Sequence, residues 1–313
     1  METDSTSTPA APVLAMVGLG RMGANMARRL ARGGARVHAF DAQPEARAAL
    51  AGEPGIACHA TLRAAVDALP APRTVWLMLP AGAPTESTLA ELAPMLAAGD
   101  LVVDGANANY LDSQRHAREL AAQGLHFADC GVSGGVWGLE NGYCLMYGAD
   151  PAPAARIAPL ARLLAPAPDR GWLHCGPPGS GHFVKMVHNG IEYGAMQAYA
   201  EGFALLEGKP EFDLDLGAVG ELWRHGSVIR SWLLDLTVDA LRDPGALASV
   251  EPFVADSGEG RWTVDEAVRQ GTPAPVISLA LMSRFASQGR GDTSNRLLSL
   301  MRKGFGGHAV KTK

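Results

Sequence analysis

The sequence predicts an α/β fold: a Rossmann-type doubly wound parallel sheet followed by an all-helical domain. Three observations carry that expectation. Short apolar, β-branched runs alternate with helical stretches through the first half of the 313 residues, the pattern of strand, helix and strand around a parallel sheet. A Gly-x-Gly-x-x-Gly run, Gly18 to Gly23, joins the first apolar run to the first helical stretch. Beyond Gly176-Pro177-Pro178-Gly179 only helical spacing remains.

In chain order, Val13 to Val17, Val37 to Phe40, Thr74 to Leu79, Leu101 to Asp104 and His126 to Asp129 read as buried strands. Met22 to Arg32 and Thr85 to Leu96 read as amphipathic helices between them. Tyr143 to Tyr147 and Trp172 to Cys175 extend the same sheet around a helical stretch, Pro151 to Leu164. From Gly181 to Gly208 there is neither proline nor β-run, which predicts one helix of about 42 Å at 1.5 Å per residue. Helical spacing continues around Leu214 to Trp223, Val228 to Leu241, Val264 to Arg269 and Pro275 to Ala286. The expected organisation is a disordered tail over 1–12, a dinucleotide-binding domain over 13–178, and a substrate and oligomerisation domain over 179–313.

Apolar residues make up 47% and charged residues 19%, enough apolar surface to offset the entropy of ordering the chain, which excludes a disordered protein. The 37 glycines follow no G-X-Y period, which excludes collagen and points to tight turns near a ligand. Cys58, Cys130, Cys144 and Cys175 form no C-x-x-C pair, so no zinc knuckle, redox dithiol or other metal site is expected. Reduced thiols and the lack of a secretory signal suit a cytoplasmic protein, and no apolar stretch is long enough to imply a membrane. A net charge of −5 argues against nucleic acid. Arg284 to Lys313 nevertheless holds seven Lys/Arg and one acid, so +6 sits at this end, a candidate anion site.

The glycine run has the context of a dinucleotide fingerprint: Gly18 for the turn, Gly20 for close approach of a pyrophosphate, Gly23 for helix packing. Leu19, Arg21 and Met22 complete the loop whose helix N-terminus would hold the pyrophosphate. Asp41 stands eighteen residues past Gly23, where an acid bonds the adenosine ribose, and Ala42-Gln43-Pro44 offers no arginine to accept a 2′-phosphate. NAD is therefore expected over NADP. Leu79, Pro80 and Ala81 should pass near the nicotinamide half through their backbone, and Asn107 is expected among the cofactor contacts as well.

Lys185, His188, Asn189, Glu192 and Tyr193 stand at i, i+3, i+4, i+7 and i+8, within an arc of about 140° on one helix face. Phe183, Val184, Met186, Val187, Ile191 and Met196 supply apolar groups around them, so this helix is expected to be buried with its polar stripe turned inward. A lysine that accepts a proton must first be neutral, and burial supplies the roughly 4–5 kcal/mol this needs. Glu192 in the same apolar setting would keep a proton for donation. Gly131-Val132-Ser133-Gly134-Gly135 reads as a ligand loop at a strand's C-terminal edge, with Asn107 ending the neighbouring strand.

With these segments in view, the chain from Val13 to His308 resembles the 6-phosphogluconate dehydrogenases, in their short NAD-linked form. Gly-x-Gly-x-x-Gly and Lys-x-x-x-Asn are shared with the wider β-hydroxyacid dehydrogenase group, whereas Gly131 to Gly135 followed by Lys185-Met-Val-His-Asn-Gly-Ile-Glu-Tyr193 is more specific. The resemblance implies that Lys185 takes the C3 hydroxyl proton while hydride leaves for NAD, and that Glu192 protonates C1 of the enediol after carbon dioxide departs. It also implies that Asn107, Ser133, Gly134, Gly135, His188, Asn189 and Tyr193 hold the sugar acid. Arg284, Arg302 and His308 match the family's phosphate ligands, the last two from a partner subunit's tail in a homodimer or homotetramer.

Two departures stand out. The longer members carry a duplicated helical unit, and where they have a Lys and a Thr before a Gly-Lys-Trp-Thr motif this chain has Asp256-Ser-Gly-Glu-Gly-Arg-Trp-Thr263, which leaves Glu259 and Arg261 without a role. The competing expectations are a 3-hydroxyisobutyrate or related β-hydroxyacid dehydrogenase, which needs neither His188, Glu192 nor a phosphate site, and a silent NAD sensor, which needs no buried acid and base.

Overall fold

The computed structural model describes residues 11–306 and 309–311. Eight strands form one sheet: β1 (Val13–Val17), β2 (Arg36–Phe40), β3 (Ile56–Cys58), β4 (Thr74–Leu77), β5 (Leu101–Asp104), β6 (His126–Ser133), β7 (Cys144–Ala149) and β8 (Trp172–Gly176), in the order β3-β2-β1-β4-β5-β6-β7-β8. The helices are α1 (Arg21–Arg32), α2 (Pro44–Ala48), α3 (Leu62–Asp67), α4 (Ala83–Leu92), α5 (Tyr110–Ala121), α6 (Gly138–Asn141), α7 (Pro151–Leu164), α8 (Ser180–Glu207), α9 (Leu216–Arg224), α10 (Trp232–Leu241), α11 (Pro244–Ala248), α12 (Glu259–Gln270), α13 (Pro275–Ser287) and α14 (Asp292–Gly306). The described residues form two compact units that part between Met186 and Val187, inside α8.

In the first unit, successive strand residues feed opposite faces of the sheet. Leu14, Met16, Trp76 and Val103 pack with Met26 and Leu30 of α1 and Ile157 and Leu160 of α7. Ala15, Val17, Val75, Leu77 and Val102 pack with Leu62 and Val66 of α3, Leu89 of α4 and Leu120 of α5. Helices on both faces explain why these strands read as continuous apolar runs rather than alternating ones. In the second unit, Phe203 of α8 packs with Leu234 and Val238 of α10, and Tyr193 of α8 with Ala280 and Leu281 of α13.

The structure differs from expectation at five places. β7 runs antiparallel to β6, because the ten-residue connection from Ser133 to Cys144 is too short for a crossover. β6 itself continues through Ser133, so only Gly134 and Gly135 of the expected ligand loop lie beyond the strand. β3, three residues paired to β2, had not been expected. α10 begins at Trp232, where Ser231 caps the Leu234 N–H, rather than at Val228. Finally, α8 is not apolar-buried all round: Val184 is 38% and Ile191 61% exposed. The expected tail over 1–12 falls, apart from Ala11 and Pro12, outside the described residues.

Arg29 in the last turn of α1 donates to the carbonyls of Leu164 at 2.8 Å, Ala165 at 2.6 Å and Leu139 at 3.0 Å, joining α1 to the ends of α7 and α6. Arg29→Leu is expected to strand these acceptors and lower unfolding free energy by about 2–3 kcal/mol. The drop would be read from urea unfolding, with NAD affinity unchanged.

Candidate active site

The glycine loop follows β1 directly. Gly18 sits at φ +91°, where a side chain would be strained, and a Cβ there would strike the Met78 carbonyl. A Cβ at Gly23 would strike the carbonyl of Gly18, so this glycine lets α1 close against the loop. Gly20 is the opposite case: nothing lies within 4 Å of a Cβ built there, and the residue is exposed. α1 has no side-chain cap at Gly20 and no acid in its first turn, which suits an anion at its N-terminus and fits the pyrophosphate of NAD. Leu19 is buried, Met22 half-buried and Arg21 exposed.

Asp41 follows β2. Its Oδ2 accepts the Leu19 N–H at 2.6 Å and its Oδ1 the Gln43 N–H at 2.8 Å, so the carboxylate ties the glycine loop to the end of β2. It remains partly exposed, with lone pairs left for ribose hydroxyls. The expectation that no arginine lies near is corrected. α2 starts at Pro44, so Arg47 returns one turn to donate to the carbonyls of Asp41 at 2.6 Å and Ala42 at 3.3 Å. Leu79, Pro80 and Ala81 lie in the turn after β4, with Pro80 and Ala81 exposed and the Pro80 carbonyl accepting the Thr85 hydroxyl at 2.9 Å.

Asn107 stands in the left-handed region at φ +51°. Its Oδ1 accepts the Val132 N–H at 2.8 Å and its Nδ2 donates to the Val132 carbonyl at 3.0 Å, a two-bond clamp on β6. One further N–H and one further lone pair stay available on the amide. Ser133 is half-buried at the strand's end, and Gly134 and Gly135 follow at φ +130° and +53°. Lys185 of α8 is 5% exposed, and its stem lies directly on β6: a Cβ at Gly131 would overlap the Cβ of Lys185.

In the second unit, His188 Nδ1 lies 3.0 Å from Asn189 Oδ1 and 3.8 Å from Glu192 Oε2. The His188 and Glu192 side chains are 40% and 38% exposed, so the apolar enclosure expected for Glu192 is corrected to a half-open position beside an imidazole. Tyr193 is buried, its hydroxyl 3.2 Å from the Ser257 hydroxyl. The Arg284 guanidinium lies 3.5 Å from the Tyr193 ring centre and donates to the Ala255 carbonyl at 2.7 Å.

The Glu259 and Arg261 segment also has a definite arrangement. Arg261 pairs with Asp256 and covers the Phe285 ring at 4.3 Å, while Glu259 is buried at the start of α12. Burial pushes the Asp256 carboxyl up, but the Gly258 N–H and Arg261 outweigh it and hold it below the usual range. Arg302 lies exposed on α14, and His308 lies outside the described residues. Arg47, Ser257 and a buried contact between Ser113 and His182 had not been anticipated. Only Arg47 carried a signal, the spacing from a proline that opens a helix.

Asp41→Ala is expected to narrow the preference for NAD over NADP in kcat/KM about tenfold and to raise KM for NAD, because it removes both the ribose acceptor and the partner of Leu19 N–H. Gly131→Ala should lower kcat by about a hundredfold, since the added methyl displaces the Lys185 stem.

Comparison with known proteins shows the family. Residues 13–168 match the family description "NAD binding domain of 6-phosphogluconate dehydrogenase", and residues 181–303 match "6-phosphogluconate dehydrogenase, C-terminal domain". The chain is 44% identical to the NAD(+)-dependent, decarboxylating 6-phosphogluconate dehydrogenase of Haloferax volcanii, over 96% of this chain and 99% of that one. It is 32% identical to the NAD(+)-dependent, decarboxylating enzyme of Bacillus subtilis, covering 88% of this chain but 61% of the longer relative. Among solved structures, the 6-phosphogluconate dehydrogenase of Plasmodium falciparum superposes with a TM-score of 0.81 at 24% identity, over 96% of this chain and 66% of that one, which shows the shared fold. Glycine loop, clamped strand and lysine-bearing helix thus occur together in a chain that belongs to the 6-phosphogluconate dehydrogenase family.

Proposed function

We propose that this chain oxidises and decarboxylates 6-phospho-D-gluconate to D-ribulose 5-phosphate and carbon dioxide, with NAD reduced to NADH. The observation that carries this reading is the run from Lys185 to Tyr193 on α8, with Lys185 buried against Gly131. NAD, when bound, accepts hydride from C3.

Lys185 is assigned as the base that takes the proton of the C3 hydroxyl as that carbon becomes a ketone. The β-keto acid then loses its carboxylate, because the adjacent ketone accepts the electron pair of the breaking bond. Glu192 delivers a proton to the carbon that lost the carboxylate, the substrate's C2, which becomes C1 of ribulose 5-phosphate, and the half-open His188 beside it suits that exchange. Ser133, the backbone of Gly134 and Gly135, and the spare amide positions of Asn107 are assigned to the carboxylate end. His188, Asn189 and Tyr193 are assigned to the hydroxyls.

Arg284 is assigned to the phosphate, with Arg302 and His308 reaching a neighbouring site from the tail of another subunit in a homodimer or homotetramer. Because the ketone formed at C3 itself accepts the electron pair of the breaking bond, no metal is assigned to the proposed reaction. No helix among the described residues is long and apolar enough to cross a membrane, and a cytoplasmic location is proposed on the reduced cysteines.

Lys185→Met is expected to lower NADH formation at least about a hundredfold while NAD affinity stays nearly unchanged. An unaffected rate would remove Lys185 as the base. Robust turnover of 3-hydroxyisobutyrate by the wild type, with none of 6-phosphogluconate, would overturn the substrate assignment.

A further inference from the structure

Asp129 has no part in the mechanism above, yet it is fully buried on β6. A carboxylate without water is costly unless its oxygens are engaged. Here Oδ1 accepts the Gly179 N–H at 2.5 Å and Oδ2 the His182 N–H at 2.6 Å, so both oxygens close the N-terminus of α8, where a negative charge also meets the helix dipole favourably. Burial pushes the Asp129 carboxyl up, and His182 with the N–H bonds pulls it part of the way back.

The start of α8 rests on bare backbone. A Cβ at Gly181 would come within 2.5 Å of the Met146 carbonyl, 2.7 Å of the Asp129 carbonyl and 2.8 Å of the Gly148 nitrogen. At Gly148 it would come within 2.6 Å of Asp129 Oδ1 and 2.7 Å of Ser180 Oγ. His182 is itself 1% exposed, and its Nδ1 lies 2.8 Å from the Ser113 hydroxyl of α5. The helix is therefore held at its first turn from the sheet below and from α5 beside it. Lys185 is three residues further on. Since each helical residue turns about 100°, a slip of one residue at this turn would carry Lys185 off Gly131.

We infer that Asp129, together with His182 and Ser113, is a positioning set that fixes where Lys185 stands for the proton-accepting step. The inference rests on the reading of Lys185 as the base. Asp129 acts through the helix and touches no reacting atom.

The test uses the full chain with 6-phosphogluconate carrying hydrogen or deuterium at C3. In Asp129→Asn one of the two acceptors becomes a donor facing a backbone N–H. The variant is expected to keep its far-ultraviolet circular dichroism and its NAD dissociation constant within about twofold, to lose about tenfold or more in kcat, and to show a larger deuterium isotope effect on kcat, since a misplaced lysine makes the C3 step more fully rate-limiting. Ser113→Ala should move both quantities in the same direction by less. A folded Asp129→Asn protein with wild-type kcat and isotope effect would overturn the inference. So would a fall in kcat that merely follows the folded fraction with the isotope effect unchanged. If Asp129→Asn does not fold, Ser113→Ala decides: an unchanged kcat and isotope effect overturns the set. Lys185→Met assayed alongside separates the two claims, because its retained activity would remove the base itself, whereas its inactivity beside a normal Asp129→Asn would remove only the positioning role.

Discussion

A helix of 28 residues that begins on the bare backbone of two strands is the constraint on which the rest depends. Gly131, Gly148 and Gly181 are the places where backbone and helix meet too closely for any side chain. That proximity holds the Lys185 stem against β6 and leaves the residue 5% exposed. The same helix then carries His188, Asn189, Glu192 and Tyr193 onward, so the polar stripe follows from one helical register rather than from separate loops.

The glycine loop answers a second constraint, the approach of a dianionic pyrophosphate to a helix end. Two of its glycines are fixed by contacts within the protein and one by open space. Asp41 adds a link, because its carboxylate holds both the Leu19 N–H of the loop and the Gln43 N–H beyond β2. Arg47 bonds the carbonyls of Asp41 and Ala42, so a cation does stand beside the end of β2.

What could be read from the residues follows from how local each signal is. The fingerprint glycines and the two ends of α7 were legible because spacing and proline placement are local features. β3 was not, since three residues carry too short a pattern to separate from a loop. Gly131 to Ser133 looked like a loop because its glycines suggest a turn, whereas the structure uses Gly131 to admit Lys185 within a strand. Ile191 and Val184 were expected to be covered, but apolar spacing identifies a face without saying what covers it. Asp129 was the least legible of all: an aspartate at a strand's end is ordinary until its two oxygens are seen to close a helix fifty residues away.

These arrangements converge on one chemical claim, that oxidation at C3 and loss of the carboxylate at C1 occur in one turnover. The most direct measurement follows 6-phosphogluconate labelled with carbon-13 at C1, counting labelled carbon dioxide against NADH. The account predicts one labelled carbon dioxide for each NADH. NADH formed with the label retained in a sugar-acid product would contradict it.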